Sequence, residues 1–145
     1  MKSNELRIGN MVMISEVKCK VIGIEGCKNI KNGFSVFDTV RLSGDGINSQ
    51  QQIYCQGVSP IALTEEILLK CGFIKYSHEP GFGLDGEKTE KCDQYSLLKL
   101  CIMDWGYGFV LSNSFSFDLR VELKSLHQLQ NLFYALTQTE LEIKL

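Results

Sequence analysis

Apolar and polar positions alternate strictly near the C-terminal end of the chain. Between Phe115 and Leu123 every odd position is apolar and every even position is polar. This period of two predicts a strand with one buried face and one wet face. Ser125 and Gln128 then have the spacing of a capping box, and apolar residues follow at helical spacing: Leu126, Leu129, Leu132, Phe133 and Leu136. The pattern predicts an α+β fold in which this helix packs on the apolar side of the preceding strand.

Residues 1–61 have the pattern of a β-rich segment. Short apolar runs at 11–14, 21–24, 34–42 and 53–55 predict four strands, and 58–63 predicts a fifth. Several short strands with glycine-rich turns and no helical pattern indicate a small barrel or a strongly bent meander. Gly9-Asn10-Met11-Val12 resembles the glycine-polar-x-valine start of SH3-like barrels. We therefore expect a small SH3-like β-barrel or a bent meander at the N-terminus.

Residues 62–145 predict the element order α-β-β-β-β-α-β. Thr64 is a suitable N-cap, Glu65 and Glu66 lie in the first turn, and Gly72 suits the end of that helix. Strands are predicted at 73–76, 95–103, 109–111, 115–123 and, after the last helix, 141–143, with a loop at 78–93. This order predicts an antiparallel sheet with two helices on one face. The parts 1–61 and 62–145 are either two domains or one compact unit.

The composition predicts a globular protein of the cytoplasm. Hydrophobic residues make up 44% and charged residues 22% of the 145 positions, and no apolar run approaches the ~20 residues of a membrane span. Residues 1–7 lack the apolar core of a secretory signal. The six cysteines are then expected to be free thiols in a reducing compartment. No membrane partner is expected.

The motifs for catalysis or cofactor binding are weak. Residues 81–86 match G-x-G-x-x-G, but a charged run follows at 87–91 without an apolar helical face, so a glycine-rich loop is the better interpretation. No cysteine pair has Cys-x-x-Cys spacing, and His78 and His127 have no neighbouring nucleophile in the sequence. We expect no cofactor, no metal and no enzymatic activity.

Two groups of residues are candidates for binding a partner. Residues 1–60 hold seven Lys and Arg against five Asp and Glu, whereas 61–145 hold eight against twelve. The basic cluster of the first group either meets phosphates or is a solvated loop face: Lys18, Lys20, Lys28 and Lys31. The second group is the aromatic loop around Trp105 and Tyr107, which either stacks on a ligand, base or protein or packs at the sheet edge. Protein and nucleic acid both remain open as partners, and a homo-oligomer is possible.

Three segments of the sequence carry a resemblance to a known family: the start at 4–10, the block at 60–73, and the block at 126–137 with 140–143. Together they resemble a family of small, functionally unassigned proteins of gut anaerobic bacteria, found in prophage and mobile-element neighbourhoods. The segments 26–52 and 77–94 are expansions on the shared pattern. The resemblance implies a phage-related or accessory context and carries over no functional residue. The expected function is a non-enzymatic binding module, and the alternative is a structural or assembly protein of a phage-like element.

Overall fold

The computed structural model describes residues 1–25, 39–82, 88–89, 91–98, 100–104, 106, 108–113 and 116–143. The chain forms two compact units. Unit 1 consists of Met1–Ala62 and Ser125–Glu140, and unit 2 of Leu63–Lys124 and Leu141–Leu145. Antiparallel sheets and helices occur together, so the predicted α+β class is confirmed.

Unit 1 contains a four-stranded antiparallel meander in the order β1-β2-β3-β4. Its strands are β1 (Met11–Ile14), β2 (Val17–Glu25), β3 (Thr39–Ser43) and β4 (Gln52–Tyr54), and a 3-10 turn follows at Cys55–Gly57. Within the described residues β1 and β4 are the edges of this sheet, which is therefore not a closed barrel. The predicted strand at 58–63 is reduced to two isolated bridges, Met13–Ser59 and Ala62–Ser125.

The second strand is longer than the sequence predicts. Ser15 and Glu16 have positive φ angles of 44° and 72°, as in the two-residue turns that connect tight hairpins. The strand therefore starts at Val17, inside the polar segment that precedes the predicted strand at 21–24. One face of the meander is apolar and buried, and it forms the core of unit 1: Val12, Cys19, Val21, Val40 and Leu42.

The second helix, α2 (Leu126–Thr137), starts with the predicted capping box. The Ser125 backbone N–H donates to the Gln128 side chain at 3.2 Å. Ser125–Glu140 lies in unit 1 together with residues 1–62, whereas the predicted part 62–145 includes this helix. Polar helix side chains hold it there, and Leu136 of the predicted apolar stripe is 62% exposed.

Unit 2 contains a five-stranded antiparallel sheet in the order β11-β10-β9-β8-β5. Thr64 caps α1 (Glu65–Lys70) as predicted, with its hydroxyl accepting from the Ile67 N–H at 3.3 Å. The strands are β5 (Ile74–His78), β6 (Gly81–Phe82), β7 (Lys88–Thr89), β8 (Cys92–Leu97), β9 (Leu100–Asp104), β10 (Phe109–Asn113) and β11 (Ser116–Leu123). The pair β6-β7 forms a separate ladder inside the predicted loop at 78–93.

Two further predictions for unit 2 are wrong. The single strand expected at 95–103 is a hairpin, since β8 pairs with β9 from Asp93–Asp104 to Leu97–Leu100. The chain reverses at Leu98, whose φ is 54°. The closing strand expected at 141–143 does not form within the described residues.

Neither helix in the described part of the chain could serve as a bilayer-spanning segment. The longer one, α2, has 12 residues, against the ~20 that a span requires.

Candidate functional site

Lys18 and Lys20 are the candidate binding residues that fall within the described part of the chain. Both are exposed on β2, where they alternate with the buried Cys19 and Val21. The period of two in a strand therefore places both ammonium groups on the outer face of the meander. Lys28, Lys31, Trp105 and Tyr107 lie outside the described residues, so their proposed roles stay predictions.

Methionines of the neighbouring strand lie beside the two lysines. Met13 is directly opposite Lys18, and Met11 is directly opposite Lys20. Side chains of directly opposite residues share one face of an antiparallel pair. The outer face therefore combines cationic head groups with half-buried apolar side chains.

Arg41 adds a third cation to this outer face. In β3 it alternates with the buried Val40 and Leu42, and it is directly opposite Gly23 of β2. A Cβ atom at Gly23 would lie 2.8 Å from the Arg41 Nε. The Arg41 side chain thus occupies the space above Gly23. Because the glycine has no side chain there, Arg41 can lie flat along the sheet.

Tyr54 places an aromatic ring on the same face. It is directly opposite Thr39, which lies two positions before Arg41 in β3 and so shares its face. The tyrosine is 61% exposed. We call the group Lys18, Lys20, Arg41 and Tyr54 the basic face.

Two carboxylates lie close to the cations of the basic face. Glu25 Oε1 is 3.8 Å from Arg41 Nε, and its other oxygen accepts from Gln52 Nε2 at 2.6 Å. Lys20 lies near Glu140, where it helps to lower the pKa of that carboxyl; the hydrogen bond from Arg7 is the larger cause. Lys18 lies near the turn between β1 and β2, whereas Glu25 lies at the opposite end of β2.

Sequence reasoning missed Arg41 and Tyr54. The sequence contains a signal for Arg41, because Thr39 to Ser43 alternates polar and apolar residues. The prediction of a strand at 34–42 rests on its apolar residues alone and does not assign a face to Arg41. Tyr54 was read as part of an apolar run. The face of the sheet on which Tyr54 lies depends on the register of β4 against β3. The sequence of a three-residue strand does not reveal that register.

A second cluster of polar groups joins α2 to the N-terminal segment. We call it the polar interlock, and it comprises Arg7, Asn10, Gln130, Asn131 and Glu140. Gln130 Oε1 accepts from the Met11 N–H at 2.7 Å, and the Arg7 guanidinium donates two bonds to Glu140, at 2.5 and 3.0 Å. These bonds are part-buried or exposed, and the Arg7 Nε is buried without a hydrogen-bond partner among the described residues. The cluster is therefore interpreted as a structural contact between α2 and the N-terminal segment.

Burial shifts the pKa values of several buried cysteines and of His127. Burial raises the pKa of Cys71 to about 11, and it also raises the pKa of Cys19. Reactive thiols instead have a lowered pKa. Burial lowers the pKa of His127, whose Nδ1 lies 3.0 Å from the Ser125 hydroxyl. Within the described residues no three His, Cys, Asp or Glu side chains are grouped as metal ligands.

Unit 2 has an ion-pair cluster at the start of its sheet. Lys75 Nζ lies 2.8 Å from Glu65 and 2.9 Å from Asp93, and Asp93 also accepts from the Ser77 hydroxyl at 2.7 Å. The two carboxylates raise the pKa of Lys75, and the hydrogen bonds from Ser77 and Lys75 lower the pKa of Asp93. The shifts of both pKa values keep Lys75 and Asp93 charged and paired at neutral pH.

Comparison of the chain with family models, with curated proteins and with solved structures found no match.

Proposed function

We propose that this protein is a non-enzymatic binding module that holds single-stranded nucleic acid on its basic face. The observation that carries the proposal is that Lys18, Lys20 and Arg41 share one exposed sheet surface with Tyr54. Lysine and arginine neutralise phosphates, and an exposed ring offers a surface on which a base can stack. A sheet face that combines the two suits an unpaired strand, whose bases are accessible.

The size of the basic face sets the expected strength of binding. Three cations that each neutralise one phosphate predict a salt dependence of about −2 in log–log slope, from about −0.7 per phosphate on single strands. Raising the salt from about 50 to 200 mM then weakens binding about twentyfold. Little sequence preference is expected, because phosphate contact and stacking do not read base edges.

We also propose that unit 1 is an SH3-like bent meander, in which the sheet curves without closing into a barrel. Two features support this: the 3-10 turn at Cys55–Gly57 after β4, and the return of the chain to pair Ser59 with Met13 of β1. The Ser59 N–H donates to the Met13 carbonyl at 2.8 Å, and the reciprocal bond measures 2.9 Å. This contact brings the segment after the meander back to its first strand, as expected for a strongly bent sheet.

The cellular setting we propose is the cytoplasm, in a prophage or mobile-element context. The resemblance of the blocks at 4–10 and 126–137 supports that context, and the two blocks meet in the polar interlock. The cysteines of the described residues are free thiols, which suits a reducing compartment: Cys19, Cys55, Cys71, Cys92 and Cys101. A structural or assembly protein of a phage-like element is the alternative in the same context.

A titration with a labelled oligonucleotide tests the proposed function. The probe is a single-stranded DNA of about 12 nucleotides, and fluorescence anisotropy reports its binding to the full chain at low and high salt. Replacing both lysines by glutamine (K18Q with K20Q) should weaken binding about tenfold at low salt and lower the salt slope by about 1.4.

The matched control replaces two exposed lysines of unit 2, K91Q with K124Q, which also removes two positive charges. This control should bind as the unaltered chain does. Equal loss in both double variants would mean that net charge alone drives binding, and no binding at about 50 mM salt would remove the proposal and leave a protein partner.

A further inference from the structure

Two methionines lie beside the lysines of the basic face, on the outer surface of the sheet in unit 1. Met11 and Met13 alternate in β1 with the buried Val12, and both are half-buried. Among the described residues, the half-buried side chains that pack against the core of unit 1 include Ile14 and Val17 but neither methionine. The two thioethers therefore form apolar surface that the core does not use. We call Met11 and Met13 the methionine row.

The methionine row has the same spacing as the lysines that it faces. Met13 is directly opposite Lys18, and Met11 is directly opposite Lys20. The Cβ atoms of such opposite residues are about 5 Å apart, and each pair lies about 6.5 Å from the next along the strands. The surface therefore repeats one arrangement twice, a cation beside a thioether.

A nucleotide carries the two groups that such an arrangement contacts. Its phosphate is an anion that lysine neutralises, and its base is a flat aromatic ring. Methionine sulfur makes favourable contacts with aromatic rings, and the unbranched side chain adapts to their position. The spacing also favours an unpaired strand, because a duplex repeats every ~3.4 Å along each strand, about half of the distance between the two lysine–methionine pairs.

We propose that the methionine row binds two bases of the single strand whose phosphates the basic face neutralises. The nucleotide whose phosphate is on Lys18 places its base on Met13. The nucleotide whose phosphate is on Lys20 places its base on Met11. The proposal rests on the proposed function, and it adds the position of the bases and the course of the nucleic acid along β2. Tyr54 on β4 takes a further base at the other side of the sheet.

The backbone of β1 holds the methionine row in position before binding. Met13 exchanges two backbone hydrogen bonds with Ser59, at 2.8 and 2.9 Å, and the Met11 N–H donates to Gln130 Oε1 at 2.7 Å. The other edge of β1 pairs with β2. Because both edges are held, binding orders only the flexible thioether ends, which lowers the entropy cost of the contact.

Methyl NMR of the full chain tests the proposal, since the chain has four methionines and each gives one methyl signal. Protein with isotope-labelled methionine methyl groups is titrated at low salt with single-stranded DNA of about 12 nucleotides. The ring currents of the bases should shift the Met11 and Met13 methyls upfield, in parallel with the anisotropy change of the DNA. Met103 of unit 2 is the internal control and should not move.

The outcomes of this titration separate the proposal from the proposed function. DNA that binds by anisotropy while the methyls of Met11 and Met13 stay in place would overturn the proposal and leave the proposed function standing. Absence of DNA binding at low salt would remove both.

A double variant and an abasic probe distinguish base contact from an effect on folding. M11T with M13T removes both thioethers, keeps residues that suit a strand and leaves the charge unchanged. It should weaken DNA binding about three- to tenfold without changing the salt slope, whereas M103T in β9 should bind as the unaltered chain does. A probe of equal length whose bases are replaced by stable abasic residues should bind the double variant and the unaltered chain equally. An equal loss on both probes, or no loss on DNA, would overturn the proposal.

Discussion

Asn10 and Asn131 lie 121 positions apart in the chain, and a hydrogen bond of 2.9 Å joins Asn10 Nδ2 to Asn131 Oδ1. Asn10 is fully buried, and its own oxygen accepts from the Arg7 N–H at 2.8 Å. Asn131 in turn donates to the Glu5 carbonyl at 3.0 Å. The pair therefore ties the start of the chain to α2, which makes this contact a structural joint within unit 1.

Replacing Asn10 by alanine should destabilise the protein by about 2–3 kcal/mol. The change leaves the Arg7 N–H and the Asn131 oxygen, both on half-buried residues, without their partner, and an unsatisfied group costs about 1–3 kcal/mol where it is buried. Urea unfolding measures the change. The control N48A removes an exposed asparagine whose oxygen accepts from the Gln50 N–H, and it should cost about 0.5 kcal/mol or less. Similar losses in both variants would mean that the joint does not hold α2.

Replacing Leu98 by glycine should stabilise the protein by about 0.5–1 kcal/mol. Leu98 has a φ of 54°, a conformation that costs a leucine roughly 1–2 kcal/mol and glycine very little. Its side chain is 78% exposed, so little packing is lost. The urea midpoint should rise in L98G and fall in L98V, whose branched side chain suits positive φ worst. A lower midpoint in L98G would show that the leucine packs in solution.

The hairpin at Leu98 also shows where sequence reasoning reached its limit. Strand β1 and helix α1 follow from local signals, since the apolar run at 11–14 and the cap at Thr64 act on neighbouring residues. The β8–β9 hairpin does not, because its turn starts at a leucine, which is not a turn residue by type. The apolar run across it predicts a single strand at 95–103, although the chain reverses within this run at Leu98.

The position of α2 could not be predicted for a different reason. The apolar stripe of α2 must be buried against another element, but any apolar sheet face could bury it. The choice of unit 1 depends on Gln130 and Asn131, whose partners are backbone groups more than a hundred residues away. The polar residues on the buried side of α2 indicate in the sequence that the helix has polar partners. Which element supplies these partners is known only from the structure.

His127 should make stability depend on pH near neutrality. Burial lowers its pKa in the folded protein below the ordinary 6.5, so the unfolded chain takes up a proton at a higher pH than the folded chain. Stability is therefore complete above pH 6.5 and falls as the pH drops below it, by at most about 1.4 kcal/mol per pH unit for one proton. Urea unfolding between about pH 5 and 8 measures the slope.

The chain has two histidines, so the contribution of His127 can be separated. The variant H127N should flatten the pH dependence in this range. The control H78N removes the exposed histidine, which lies 3.1 Å from Gln94 Oε1, and it should leave the slope unchanged. A slope that persists in H127N and disappears in H78N would contradict the assignment.

Replacing Glu25 by glutamine should strengthen oligonucleotide binding about two- to fivefold at low salt, because one charge at an exposed pair is worth about 0.5–1 kcal/mol. The change removes the carboxylate that lies 3.8 Å from Arg41, and the amide still accepts from Gln52. Anisotropy measures the affinity. The control E122Q removes an exposed carboxylate of unit 2 and should bind as before. Tighter binding in both variants would point to net charge, and weaker binding in E25Q would contradict the role of Arg41.

Amide chemical-shift mapping with single-stranded DNA tests the central claim most directly, because it reports every position of the full chain at once. Addition of the oligonucleotide should shift the amides of Lys18, Lys20, Arg41 and Tyr54 together, saturating with one dissociation constant that weakens with salt. Amides of β8 to β10 should not move. Shifts confined to unit 2, or no shifts at low salt, would contradict the account.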